Sequence, residues 1–243
     1  MHLFRGSGGR RTLPGALFAV RPAFACAALF AALSPAAIAA PVANTYGEPI
    51  GVAPADPAIT RALADVSAAR IRQTISTLVD FHTRNTLSSM DTNLPPNTGV
   101  TAAAKWIQQQ FSGISDACHG CLEVKTDTFT QPADPGPRSR VKAPATITNV
   151  YAILRGTDPA QATRMYLVTG HYDSINSNVF HNWSDTSGFA PGANDDASGT
   201  AVSIESARVL SRHRWPATIV FVAVAGEEQG LLGSTHLAKL AKD

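Results

Sequence analysis

Clustered basic residues, more than one cysteine pair and a membrane-length apolar run are all missing from this chain of 243 residues. The longest alanine-rich apolar stretch, residues 23–33, falls short of the ~20 residues that a helical span needs, which argues against a membrane anchor. Three cysteines are too few for a disulfide scaffold or a four-cysteine zinc module. Charged residues make up 16% and aromatics 7%, and no internal repeat is present. At 44% hydrophobic the chain has enough apolar material to bury a substantial core in one domain.

The net positive charge comes from the start. Arg5, Arg10, Arg11 and Arg21 precede the apolar run, and Ala37-Ile38-Ala39 follows it. That order matches the n-region, h-region and small-residue cleavage site of a secretory signal peptide. Cleavage is expected after Ala39, because Pro41 would hinder a cut after Ala40. The chain is therefore expected to be secreted or periplasmic, with residues 1–39 removed. Those residues hold four of the 20 basic side chains and no acidic ones, so 16 basic and 18 acidic residues remain, a formal net of −2. Nucleic acid is excluded as an expected partner, and so is a membrane once the signal is gone. Cys26 leaves with the signal. Cys118 and Cys121 stay, and in an exported protein their default reading is a small local disulfide. A redox pair would want a strand–helix setting, and half a zinc knuckle would want a second cysteine pair.

Residues 40–66, rich at first in Pro, Ala and Gly and without a period, predict a flexible N-terminal segment. The domain is expected over 67–243. Ile71, Ile75, Leu78 and Val79 follow helical spacing behind Ser67 as N-cap, and a second helix is predicted over about 101–111. Strands are predicted over 122–130, 147–154 and 165–169, with a proline-rich loop at 132–144. Residues 197–213 read as an alanine- and serine-rich helix, and 231–241 as the start of another. Between them, residues 218–225 form an unbroken apolar, β-branched run, the pattern of a strand covered on both faces. Strands alternating with helices late in the chain predict an α/β fold: a three-layer α/β/α sandwich around a mixed, largely parallel sheet.

Three short segments sit where apolar runs give way to loops, at one edge of such a sheet. In His171-Tyr172-Asp173 the imidazole could bind a metal while Asp173 holds its other ring nitrogen; a loop histidine near a carboxylate is the plainer reading. In Gly192-Ala193-Asn194-Asp195-Asp196-Ala197-Ser198-Gly199, two adjacent carboxylates precede a helix. One would suffice as an N-cap, and a bridge between two cations would account for the other. Glu227 and Glu228 follow the most buried-looking strand, where two ionised carboxylates repel unless a cation or proton intervenes. A solvated acidic turn is the alternative for that pair alone.

Taken together, these three segments strongly resemble the M28 zinc metallopeptidases, a group rich in secreted aminopeptidases. The resemblance covers residues 147–240 with high specificity. It implies two zinc ions, His171 as a ligand of the first, Asp195 as the carboxylate bridging both and Glu228 as a ligand of the second. It further implies Glu227 as general base and Asp173 as the partner orienting His171, with peptides as substrates. Asp196 has no metal-binding role in that pattern. The family pattern also needs one more Asp and one more His downstream of the Glu pair. Residues 229–243 do not supply them, so the expectation is a domain incomplete at its C-terminus and of doubtful activity as it stands. Of the other late histidines, His213 is expected to complement a helix dipole, His236 to be structural or exposed, and His181 to lie in a loop that could line the site. Related di-zinc carboxypeptidases or deacylases share the His-x-Asp and Glu-Glu elements but usually differ around the bridging aspartate. A metal-free binding module on the same fold is the non-enzymatic alternative. Oligomeric state and side-chain preference are not legible.

Overall fold

The unbroken β-branched run does form a strand with a covered centre. In the computed structural model, which describes residues 54–176 and 185–242, the strands are β1 (Leu122–Gln131), β2 (Ala145–Leu154), β3 (Met165–His171) and β4 (Thr218–Val224). They form one sheet in the order β1-β2-β4-β3. All the described residues belong to the compact unit Ala53–Asp243; the expected signal peptide 1–39, with Cys26, and His181 lie outside them.

Among the described residues five α-helices accompany the sheet: α1 (Pro57–Ala64), α2 (Ala68–Asp80), α3 (Gly99–Ala117), α4 (Ser198–Leu210) and α5 (Leu232–Leu240). One face of the sheet carries Phe221 and Ala223 of β4 beside Ala152 and Val150 of β2. That face shares its core with Leu78 of α2, Ile107 and Phe111 of α3, and Ile204 of α4. The opposite face sets Val220, Val222 and Val224 against Tyr151, Ile153 and Leu237 of α5. The result is the expected three-layer α/β arrangement with a mixed sheet.

The parallel share is smaller than expected among the described strands. β3 and β4 pair in parallel, His171 opposite Val224, with α4 as the crossover. β1–β2 and β2–β4 are antiparallel. Residues 132–144 turn β1 directly back onto β2 as a hairpin, which needs no crossover helix.

Other boundaries moved outward. Ser67 caps α2, its hydroxyl accepting from the Arg70 amide at 3.4 Å. The 101–111 helix runs from Gly99 to Ala117 and is closed off by a Cys118–Cys121 disulfide. Within the segment expected to be flexible, Pro57–Ala64 is a helix, started by Asp56 accepting from the Ala58 amide at 2.7 Å. No helix among the described residues is long and apolar enough to cross a membrane.

Candidate metal centre

Parallel pairing places the ends of β3 and β4 side by side, so the chain leaving His171 and the chain leaving Val224 emerge at one sheet edge. The loop that brings in Asp195 reaches the same edge because α4 starts there and packs on β3. Gly170 permits this approach: a Cβ on it would lie 2.4 Å from both Gly199 C and Thr200 N at the start of α4.

His171 stands at the centre. Its Nδ1 is 3.2 Å from the Asp173 carbonyl oxygen and 3.4 Å from Asp173 Oδ1, while Nε2 is 3.0 Å from Asp195 Oδ1 and 3.8 Å from Glu227 Oε2. A carbonyl oxygen only accepts, so Nδ1 carries the proton. The lone pair of Nε2 then faces a carboxylate and needs a proton or a cation beside it. Burial works against the imidazolium, but Asp173, by hydrogen bond and charge, together with Asp196 and Glu227, outweighs it and raises the group to about 9.

Asp173 is fully buried and holds the site together. Its Oδ1 accepts from the Glu227 amide and its Oδ2 from the Glu228 amide, both at 3.3 Å. The turn bearing the two glutamates is thus hydrogen-bonded to the residue that orients His171. Arg140 donates to the Glu228 carbonyl at 2.6 Å from the β1–β2 loop. Burial pushes the Glu228 carboxyl up to about 7, aided by the charges of Asp173, Asp195 and Glu227 and opposed by His171. Beside it, Gln229 is buried and its Oε1 has no hydrogen-bond partner among the described residues.

The two adjacent aspartates point in different directions. The Asp195 side chain is largely exposed, at 77%, and points to the imidazole. Asp196 turns inward, accepting from the His171 amide at 3.0 Å and the Gly199 amide at 2.7 Å. It therefore satisfies an amide in the first turn of α4 and ties that turn to β3, and the peptide between the two aspartates is cis. His236 lies apart, 2.9 Å from Asp127 and stacked on Phe129. His213 meets Trp215 edge-on near the far end of α4.

The donor set suits a divalent cation: one imidazole with its far nitrogen held by oxygen, facing several carboxylates with little positive charge among them. Among the described residues, however, no three His, Cys, Asp or Glu side chains already form a cage that could hold an ion. The structure brings His171, Asp173, Asp195 and Glu227 into contact, with Glu228 within their electrostatic reach.

Sequence reasoning missed the buried polar segment Thr83-Arg84-Asn85-Thr86, whose residues are at most 3% exposed. Arg84 donates to the carbonyls of Tyr172, Leu78, Pro191 and Gly192 at 2.6, 2.6, 2.9 and 3.0 Å. It thereby fastens the His171 loop to the Asp195 loop. Burial lowers it to about 10, against the charges of Asp173 and Asp196, which leaves it a cation at neutral pH. A lone arginine in a polar stretch carries no local signal for this role.

With the geometry in hand, comparison with known proteins narrows the family. Residues 149–243 match the family described as Peptidase family M28. A probable zinc metalloprotease of Pyricularia oryzae is 43% identical over 200 residues, covering 82% of this chain and 37% of the relative. One from Pyrenophora tritici-repentis is 44% identical over 181 residues, covering 74% and 39%. The chain thus spans well under half the length of these relatives. Among solved structures, an aminopeptidase from Aneurinibacillus sp. strain AM-1 superposes with a TM-score of 0.54 at 16% identity, covering 74% of this chain and 67% of that one. A glutaminyl cyclase of Porphyromonas gingivalis gives 0.51 at 20%, covering 70% and 54%. At such identities the superpositions establish the fold, which serves more than one chemistry. The matched segment, residues 149–243, is thus identified with Peptidase family M28, and the relatives that this chain resembles over most of its length are named probable zinc metalloproteases.

Proposed function

We propose that this chain contributes the His171, Asp195, Glu227 and Glu228 part of a di-zinc centre in an exported aminopeptidase that removes N-terminal residues from peptides. The supporting observation is the convergence of three sequence-distant segments on one imidazole, with Nε2 of His171 at 3.0 Å from Asp195 and 3.8 Å from Glu227. Export is supported by the composition of residues 1–39, and zinc by the names of the curated relatives.

In this reading His171, Asp195 and Glu228 would hold the zinc ions. Bound zinc would supply Lewis acidity, lowering the pKa of water and polarising the scissile carbonyl. The remaining work falls to the chain itself. Asp173 fixes the imidazole tautomer through Nδ1 and keeps Nε2 directed at Asp195. Glu227, half-exposed at 36%, takes a proton from water and returns it to the departing amine. Arg140 and Asp173 grip the backbone on either side of the Glu pair, which keeps Glu227 within reach of the same water.

Zinc content and hydrolysis of an aminoacyl p-nitroanilide test the reading, on residues 1–243 and on a C-terminally extended chain. Weak zinc binding and no turnover are expected for the former, stoichiometric zinc and turnover for the latter. In the extended chain, His171→Ala and Asp195→Ala should lose zinc, and Glu227→Gln should keep zinc and lose turnover. Stoichiometric zinc with cleavage of N-acylated substrates alone would refute the aminopeptidase assignment.

A further inference from the structure

Beyond the residues that face the proposed ions, one buried hydroxyl spans two of the three segments. Thr86 is 1% exposed and opens the short 3-10 helix Thr86–Met90. Its Oγ1 lies 3.0 Å from Asp173 Oδ2 and 3.0 Å from the Gly226 amide nitrogen. A carboxylate only accepts and a peptide N–H only donates, so both bonds are fixed in direction. The hydroxyl accepts from Gly226 and spends its single proton on Asp173.

We propose that Thr86 is a positioning residue that sets the distance between His171 and the Glu227–Glu228 turn. The chain of contacts is short. Asp173 orients the imidazole through Oδ1 and receives the amides of Glu227 and Glu228. Thr86 holds Oδ2 of that same carboxylate and also the amide of Gly226, the residue just before the glutamates. Gly226 is buried and has φ +74°, a conformation that the turn needs and that L side chains rarely adopt. In the buried turn its amide has Thr86 Oγ1 as acceptor, and losing that acceptor would leave a buried donor unpaired. Without the hydroxyl, the turn keeps the Glu227 and Glu228 amide bonds to Asp173, but Oδ2 loses the shorter of its two donors and Gly226 loses its acceptor. Both halves of the site then loosen together. Arg84, two residues earlier, fixes the third segment through Pro191 and Gly192, so one buried strip of chain references all three. The metal-affinity part of this inference rests on the reading of His171 and Glu228 as zinc ligands; the positioning part does not.

The test compares Thr86→Val, close in shape but without the hydroxyl, with Thr86→Ser, which keeps it. Backbone hydrogen exchange is followed by mass spectrometry on residues 1–243. In Thr86→Val, peptides covering 171–176 and 225–230 should exchange on the order of ten-fold faster, the loss of about one buried hydrogen bond. Peptides from α3 and β1 should be unchanged, and Thr86→Ser should restore protection. Unchanged exchange in 225–230, or a uniform rise across the domain, would overturn the proposal. Should Thr86→Val fail to fold, Asp173→Asn weakens the same contact from the other side and should loosen the same two peptides. In parallel, zinc affinity by calorimetry on the extended chain should fall by roughly 10- to 100-fold in Thr86→Val and recover in Thr86→Ser. Unaltered zinc affinity alongside altered exchange would refute the coupling to the metal. A wild-type chain that binds no zinc would sink the proposed function, while the exchange data would still decide the role of Thr86.

Discussion

Arg84 is the residue whose loss the fold should tolerate least. Its guanidinium is fully buried and satisfies four carbonyls from three parts of the chain. Replacing it with methionine keeps most of the volume and removes every donor, leaving Asp173 and Asp196 without their nearby cation. Breaking a buried charged network in this way costs about 3–5 kcal/mol. Lysine keeps the charge but cannot reproduce the planar fork, so Arg84→Lys should fall between methionine and wild type. Urea denaturation followed by circular dichroism ranks the three. A methionine variant within about 1 kcal/mol of wild type would show that water replaces the guanidinium at those carbonyls. Gly170→Ala is the steric counterpart: β3 and α4 would have to separate, since the approach leaves no room for a methyl group.

Among the elements, α1 shows where reading the sequence stops. The helix starts with Asp56 as N-cap and Pro57 at its first position, yet eight residues are too few to be stable alone. The helix persists because its end is tied to α4. Arg208 donates to the Asp65 carbonyl and, with two nitrogens, to Glu205, while Glu205 Oε1 accepts from the Ser67 amide at 2.7 Å. Those contacts bridge about 140 residues, and composition carries no trace of them. The buried strip at Thr83 to Thr86 was hidden for the same reason: its partners lie around residues 172, 186, 191 and 226. By contrast β4 was legible because β-branching and continuous hydrophobicity are local properties. The site was legible in part because adjacent carboxylates are unusual in any single loop, and the resemblance distinguished Asp195 from Asp196; the amides that hold Asp196 inward required the fold. The Glu205 cluster also fixes a pH response. Burial pushes its carboxyl upward, but the Arg208 fork and the Ser67 amide prevail and hold it below the usual range. A carboxyl depressed in the folded state contributes its full stability above the unfolded value of about 4.3 and loses it as pH falls through the folded value. Glu205→Gln should therefore be less stable than wild type by about 1–3 kcal/mol at pH 7, and the gap should narrow below about pH 4. Equal gaps at pH 7 and pH 3 in urea titrations would contradict this.

For the molecule as a whole, the decisive question is how one sheet edge tolerates so many carboxylates. Asp173 is neutralised in effect by four donors, among them two backbone amides and Thr86, and Asp196 by two amides with Arg84 nearby. Among the described residues Asp195, Glu227 and Glu228 have no such arrangement of donors, and His171 is the cationic partner beside them. Repulsion among these three favours opening of the loops that carry them, so a cation bound there should stabilise the entire unit rather than one loop, because those loops are continuous with β3, β4 and α4. A ligand that binds the folded state at 100 times its Kd adds about 2.7 kcal/mol, which for a domain of this size corresponds to roughly 5–10 °C in Tm. In the C-terminally extended chain zinc should produce such a shift in scanning calorimetry, and chelation by EDTA should reverse it. Magnesium at the same concentration should do much less, since imidazole favours zinc and magnesium keeps its waters. The shift should vanish in His171→Ala and Asp195→Ala. If both variants kept the full zinc shift, the stabilising ion would be bound elsewhere, and the sheet edge would have to hold its carboxylates apart by solvation alone.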